Sequence, residues 1–379
     1  MKNMSNMKNI PFFNYSFILG QYKKEITNIV LDVAERGAFI MQDEVKQFEG
    51  NLAKFLGAKN SLGVGNCTDG LLLAIKAAGI GVGDEVIFSS HTFVATASAI
   101  YHSGAKPIPV ECGADHLIDV NAIEAAITSK TKAIIPTQLN GQVCEMDRIL
   151  EICRKYDLIL IEDAAQSLGA KYKNKCAGTF GLASAFSFYP AKVVGCFGDG
   201  GAVVTNDENV YDHIFLTRDH GRARIGEVVT WGMNSRLDNL QAAILDFKLS
   251  KYELDIIRRR EIAFLYNSGL KEVKEIVLPP APNSNPSKFE IYQNYEVEVV
   301  KASERDAFRK YLSTNGIGTI LQWGGKAVHE FEGLGLNYSL PNTEDLMRRS
   351  FLLPMNTSLT DEDVLYIIEV IRKYYNYGN

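Results

Sequence analysis

The sequence predicts an α/β protein in which a mostly parallel sheet flanked by helices is followed by a smaller C-terminal α+β domain. Two observations carry this prediction. As far as Thr205, short apolar runs alternate with segments of helical periodicity, the pattern of buried parallel strands joined by covering helices. Beyond a helical tract that begins at Leu237, the Pro-, Asn- and Ser-rich stretch PPAPNSNPS (279–287) marks a loop, and the alternation does not resume. We divide the chain at residue 250, into a large domain with its N-terminal segment (1–250) and a small domain (251–379).

The elements follow in order. Lys23–Arg36 sets Ile26, Ile29, Val30 and Val33 on one side of a helix. Val45, Phe48, Leu52, Phe55 and Leu56 repeat at three- and four-residue steps, and Gly57 ends that helix. Strands are expected at Leu62–Val64, Glu85–Phe88, Lys106–Val110, Lys132–Pro136, Leu158–Glu162 and Ala202–Thr205. Helices are expected between them near Gly70–Ala78, Ala95–Tyr101, Ala122–Thr128 and Met146–Lys155. Leu237 to about residue 270 reads as one long helical tract. The remainder offers a strand at Tyr292–Val300, a helix at Ser303–Asn315, a short strand at Gly318–Leu321 and a closing helix at Asp361–Tyr375. Ligands of such sheets bind beyond the carboxyl ends of the strands, so functional residues should follow strands.

Composition narrows the function classes. With 46% apolar and 22% charged residues the chain is an ordinary globular protein, and 379 residues suffice for two domains. A net charge of -5 supplies no basic footprint for nucleic acid or for an anionic membrane surface. No apolar run reaches the roughly 18 residues of a membrane span. The start, MKNMSNMKNIPFFNYS, lacks the apolar core of an export signal. The cysteines form no CxxC pair and the histidines no HExxH, which argues against a disulfide framework and a metal site. A reducing cytoplasm is the expected compartment.

The stretch SAFSFYPAKVVGCFGDGGAVVTND (184–207) presents Lys192 just past an aromatic, apolar run and ahead of Gly195, Gly198, Gly200 and Gly201. A lysine there either snorkels to solvent or enters a crowded interior. In the interior, desolvation lowers the ammonium pKa and frees a nucleophilic amine. Upstream, LILIEDAAQSLG (158–169) ends a buried strand in Glu162-Asp163. Asp163 reads as a helix N-cap or as an anion that needs a cationic partner. A pyridine cofactor joined to the lysine requires such an anion to keep its ring nitrogen protonated. Gln166 is placed to donate to the ring oxygen, or else lies on a solvated helix face.

GVGNCTDG (63–70) lies between a strand and a helix and offers main-chain N–H groups and the Thr68 hydroxyl to a phosphate. Asp69 would bring negative charge there, so its backbone N–H is the expected contact. In SSHTFVAT (89–96), Phe93 follows a strand, free to stack on a flat ring or to pack in the core. GMNSRLDNLQAAIL (232–245) carries Asn234 and Arg236 at a helix start, where they cap it or reach an anion.

Taken together, GNCTDGLLLA, HTFVATASAI, IEDAAQSLGA, SFYPAK, GDGGAVVTND and NSRLDNLQAAIL resemble the DegT/DnrJ-type sugar aminotransferases. The resemblance spans roughly residues 10–375. It implies the pyridoxal-phosphate-dependent transferase fold of type I. It implies that Lys192 carries pyridoxal 5'-phosphate and shuttles the proton, that Asp163 pairs with the pyridine nitrogen and that Gln166 holds the ring oxygen. Thr68, Asp69 and Ser187 would hold the phosphate and Phe93 would stack on the ring. Asn234 would reach the cofactor phosphate of a neighbouring subunit, making a homodimer. Family relatives with a dehydratase activity have histidine in place of the lysine, and this chain keeps lysine.

The implied reaction moves an amino group from L-glutamate to a keto sugar for surface polysaccharide or lipopolysaccharide. A nucleotide-linked keto-deoxyhexose is the expected acceptor. LQWGGKAVH (321–329) and RDHGRARIGEV (218–228) depart from the commoner family pattern, which leaves a free keto-sugar acid such as 8-keto-3-deoxy-manno-octulosonate as an alternative. His329, His220 and Arg222 are candidates for substrate contacts. Two other classes compete: a β-lyase or desulfurase, for which Cys196 would need to be reactive, and a non-catalytic cofactor-binding regulator.

Overall fold

A computed structural model describes residues 8–223 and 225–377. The first seven residues of the opening stretch read above lie outside the described residues. The first body of the chain is built on β1 (Asn60–Val64), β2 (Glu85–Ser89), β3 (Lys106–Val110), β4 (Thr131–Ile135), β5 (Ile159–Asp163), the two-residue β6 (Lys171–Tyr172) and β7 (Lys175–Cys176), β8 (Ala183–Ser187) and β9 (Gly201–Thr205). Seven of these form a sheet in the order β1-β9-β8-β5-β4-β2-β3. Only β9 in that sheet runs against its neighbours, pairing antiparallel with β1 and β8. The expected mostly parallel α/β sheet is therefore present.

The strands are buried almost throughout because apolar layers cover both faces. On one face, helices Asp43–Leu56, Met146–Tyr156 and Asn239–Leu249 press Phe48, Leu52, Ile149 and Leu245 against Ile87, Ile134 and Phe186. On the other, helices Cys67–Ala77 and Val94–Ser103 set Leu71, Ile75 and Ile100 against Phe88, Ile135, Ile161 and Val203. The carboxyl ends of β1, β2, β5 and β8 consequently share one edge of the sheet. That edge receives Thr68, Phe93, Asp163 and Ser187.

A second sheet, antiparallel in the order β10 (Ile276–Val277), β12 (Tyr295–Val299), β13 (Ser350–Leu353), has its own core. Helices Arg305–Thr314 and Asp361–Tyr374 close it with Phe308, Leu312, Ile367 and Ile371. Between them, β11 (Lys288–Phe289) pairs with β6 and fastens the proline-rich loop to the first body. Helix Tyr252–Leu270 belongs to both cores: Tyr252 and Ile256 pack in the first, and Ile262, Tyr266 and Leu270 in the second. Ile10 also packs in the second core, bridged to Ile317.

Three expectations are corrected. The tract from Leu237 is two helices, Asn239–Leu249 and Tyr252–Leu270, broken at Ser250–Lys251. The chain turns there so that Tyr252 is buried with its hydroxyl donating to the Leu168 carbonyl at 2.7 Å. The strand expected from Tyr292 begins only at Tyr295, since Tyr292 takes a left-handed φ of 50° against Gly141. At Gly318–Leu321 there is only a bridge, Ile320 to Leu352. Helices Glu208–Thr217 and Pro341–Arg349 and strands β8 and β13 had no separate sequence assignment.

Candidate active site

Asp163 ends β5 with its carboxylate buried between two strand-following segments. Thr96 Oγ1 donates to its Oδ2 at 2.7 Å, and the Ala165 N–H donates to its Oδ1 at 3.1 Å. The Cys67 thiol stands 4.0 Å from Oδ1. Burial pushes the carboxyl pKa up, against the pull of those two donors and of the Lys192 charge. Lys192 answers in kind: burial pulls its amine down, while Cys67 and Asp163 hold it up. Each group is thus uncomfortable in its charged form, and a cation at Asp163 would relieve the carboxylate.

The backbone around Lys192 is clamped from the second body. Gln293 Oε1 accepts from the Val193 N–H and Gln293 Nε2 donates to the Ala191 carbonyl, both at 2.9 Å. A turn places the Lys192 N–H on the Tyr189 carbonyl at 2.8 Å. That turn needs glycine at 195, where a Cβ would stand 2.7 Å from the Pro190 oxygen. The cleft beside Lys192 is lined by Phe12, Asn14, Tyr15, Asn294 and Asn356. The N-terminal wall and the Gln293 clamp carried no sequence signal.

The helix Cys67–Ala77 opens onto this region. Ser187 pairs in register with Gly201, and a Cβ on Gly201 would stand 2.5 Å from the Asn66 carbonyl carbon. The missing side chain brings the helix N-terminus, with Thr68 and Asp69 in its first turn, up to the end of β8. Four orphan N–H groups and the helix dipole favour an anion at such an end. The Asp69 N–H, expected at a phosphate, instead donates to Asn66 Oδ1 at 2.9 Å, because Asn66 caps the helix. Phe93 is 54% exposed at the start of helix Val94–Ser103, leaving its ring face open.

Gln166 Oε1 accepts from the Asn140 N–H at 2.9 Å. The other candidates lie apart. Asn234 is exposed on a ribbon that pairs with Asp219, its Oδ1 taking a bond from Arg236 Nε at 3.0 Å. His220 and Arg222 lie on the same ribbon, exposed. His329 is buried with both ring nitrogens engaged, by Ser90 Oγ at 2.7 Å and Glu344 at 3.3 Å. Of the candidates read from the sequence only Lys192 lines the cleft; Thr68, Asp69, Phe93, Asp163, Gln166 and Ser187 lie outside it, as do Asn234, His220, Arg222 and His329. Glu162, read together with Asp163, faces away: Gly178, Phe180, Gly181 and Gln138 all donate to it, fastening the loop into β8.

A polar cluster behind the cleft was missed as well. His116 donates to Glu296 at 2.8 Å and to Glu298 at 2.7 Å. Burial alone would lower its pKa, but Glu296 and Glu298 outweigh burial and hold it up at about 10. That lies above the ordinary histidine value of about 6.5, so the stabilisation is complete below about pH 6.5 and drains as pH rises through about 10. The melting temperature is expected to fall between about pH 7 and 10 more steeply in the wild type than in His116→Gln. Equal slopes in thermal scans would reject the assignment.

A buried carboxylate, a desolvated lysine and a helix N-terminus at one sheet edge form a donor set that fits pyridoxal phosphate. The fold and that set define a pyridoxal-phosphate-dependent transferase of fold type I. The chain belongs to the DegT/DnrJ/EryC1/StrS aminotransferase family, whose sequence model matches residues 21–372. It is 39% identical to the dTDP-3-amino-3,6-dideoxy-alpha-D-galactopyranose transaminase of Aneurinibacillus thermoaerophilus, covering 96% of this chain and 99% of that one. It is 36% identical to a pleiotropic regulatory protein of Geobacillus stearothermophilus, over 97% of this chain and 99% of the other. Among solved structures it resembles S. venezuelae DesV with a TM-score of 0.93 at 33% identity, covering 98% and 100% of the two chains. The chain is a pyridoxal-phosphate-dependent sugar aminotransferase.

Proposed function

We propose that the protein transfers the amino group of L-glutamate to the keto group of a nucleotide-linked deoxy sugar, in the cytoplasm, for surface polysaccharide or lipopolysaccharide. The observation that carries this reading is the Asp163–Lys192 pair in a chain that matches sugar transaminases along nearly its whole length. The nucleotide linkage follows the dTDP-linked sugar in the name of the Aneurinibacillus relative. The free keto-sugar acid is not favoured. Six unpaired, buried cysteines suit a reducing compartment, and no helix among the described residues is long and apolar enough to cross a membrane.

When bound, pyridoxal phosphate supplies the electron sink that lets an amino group leave one carbon and reach another. Lys192 holds the cofactor and, once released, moves the proton at its Nζ. Asp163 keeps a negative charge at the pyridine nitrogen, Gln166 donates to the ring oxygen and Phe93 covers the ring. Thr68 and Ser187 receive the phosphate at the helix end. The active unit is a homodimer in which Asn234 serves the partner's phosphate. Its ribbon supports that reading: Trp231 there is 96% exposed, beside exposed Ile225, Val228 and Val229.

Purified enzyme with glutamate should release 2-oxoglutarate when given dTDP- or UDP-linked keto sugars, and not with 8-keto-3-deoxy-manno-octulosonate. Turnover confined to the free acid would overturn the acceptor assignment.

A further inference from the structure

Amide side chains present two similar ends, and the end that faces a site depends on what grips the other. Gln166 is gripped at its oxygen. The Asn140 main-chain N–H can only donate, so the atom 2.9 Å from it is Oε1. Asn294 Nδ2 approaches the same oxygen at 3.3 Å. The orientation of Asn294 is set in turn by Asn140 Oδ1, to which its Nδ2 donates at 2.8 Å. Asn140 is itself polarised by a carboxylate: its Nδ2 donates to Glu296 Oε2 at 2.8 Å, leaving Oδ1 for Asn294 and for Gln322 Nε2 at 3.0 Å.

Glu296 anchors the series as a pure acceptor. Burial alone would raise its carboxyl pKa, but the charges of His116 and His91 outweigh burial and hold it low. Every amide from Glu296 to Gln166 therefore has one assigned direction. Among the described residues no protein acceptor takes Gln166 Nε2.

We propose that Asn294 and Asn140 are positioning residues that fix the flip of the Gln166 amide, so that its NH2 group faces the cofactor ring. The inference rests on the reading that Gln166 borders the ring oxygen. Three residues from the second body, Asn294, Glu296 and Gln322, thereby set a donor that the first body presents. A hydrogen bond to the anionic form of the ring oxygen favours that form. Losing it makes the bound cofactor's visible absorbance change at higher pH.

Asn294→Asp tests this in the reconstituted full-length enzyme. It replaces the donor facing Gln166 Oε1 with an acceptor, which opposes the Asn140 N–H and weakens the hold on the amide's direction. Spectrophotometric titration is expected to show the absorbance transition moved up by about 1 pH unit. Gln166→Leu should give a similar shift, and Asn294→Asp should add nothing in the Gln166→Leu background. A shift of equal size in that background would mean that the new charge acts directly, and the proposal falls. If Gln166→Leu moves the transition and Asn294→Asp does not, the positioning role of Asn294 falls while the place of Gln166 stands. If neither moves it, the place of Gln166 falls too. Asn294→Ser, neutral and smaller, should shift the transition in the same direction and serves if the aspartate variant does not fold.

Discussion

Lys192→Ala is expected to lower the turnover of glutamate with keto sugar by about 10³-fold or more, while pyridoxal phosphate still binds. A positioned acid–base group contributes about 10²–10⁴-fold to a proton transfer, and this residue is also proposed to hold the cofactor covalently. Steady-state kinetics measure the loss, and equilibrium dialysis measures the retained cofactor. Borohydride reduction and peptide mapping should place the cofactor on Lys192. The natural rival is Lys248, whose amine burial pulls down to about 8 and which is held against the Gly195 carbonyl. A reduced adduct on Lys248 would reject the assignment.

Asp163→Asn is expected to cost about 10²–10³-fold in kcat/KM, the range for removing one preorganised electrostatic contact in a site shielded from water. Stability should move the other way. Burial raises the folded pKa of Asp163 above its unfolded value, so ionising this carboxyl in the cofactor-free fold costs stability as pH rises. Above roughly pH 4 to 5, the cofactor-free variant should therefore melt no lower than the wild type. A melting temperature several degrees lower would mark Asp163 as a structural cap instead. Sites that work under such a burden commonly trade stability for activity.

Six of the seven strands of the large sheet, all but β8, were legible because both faces are covered, so they read as short, mostly apolar runs between turn signals. Helix Asp43–Leu56 was legible down to Gly57, whose φ of 71° closes it in the left-handed region that glycine favours. The sheet-edge residues were legible for a chemical reason. A carboxylate ending an apolar strand and a lysine before glycines are costly arrangements, and cost is visible in sequence. The break at Ser250–Lys251 was hidden because the apolar spacing continues across it and only the buried Tyr252 hydroxyl requires the turn. The pairing of His116 with Glu296 and Glu298 joins positions about 180 residues apart, which no local pattern reports. His329 was a candidate for a substrate contact, whereas Ser90, far from it in sequence, and Glu344 engage both of its ring nitrogens.

The grip of Gln293 on both peptides flanking Lys192 bears on protein engineering. Grafting the C-terminal half of a relative onto this chain would exchange more than a specificity module. The donor sequence would need an equivalent side chain at that position to hold the reactive lysine's backbone in register. Chimeras joined near residue 250 should therefore regain activity when glutamine is restored there, before any further tailoring of the acceptor pocket.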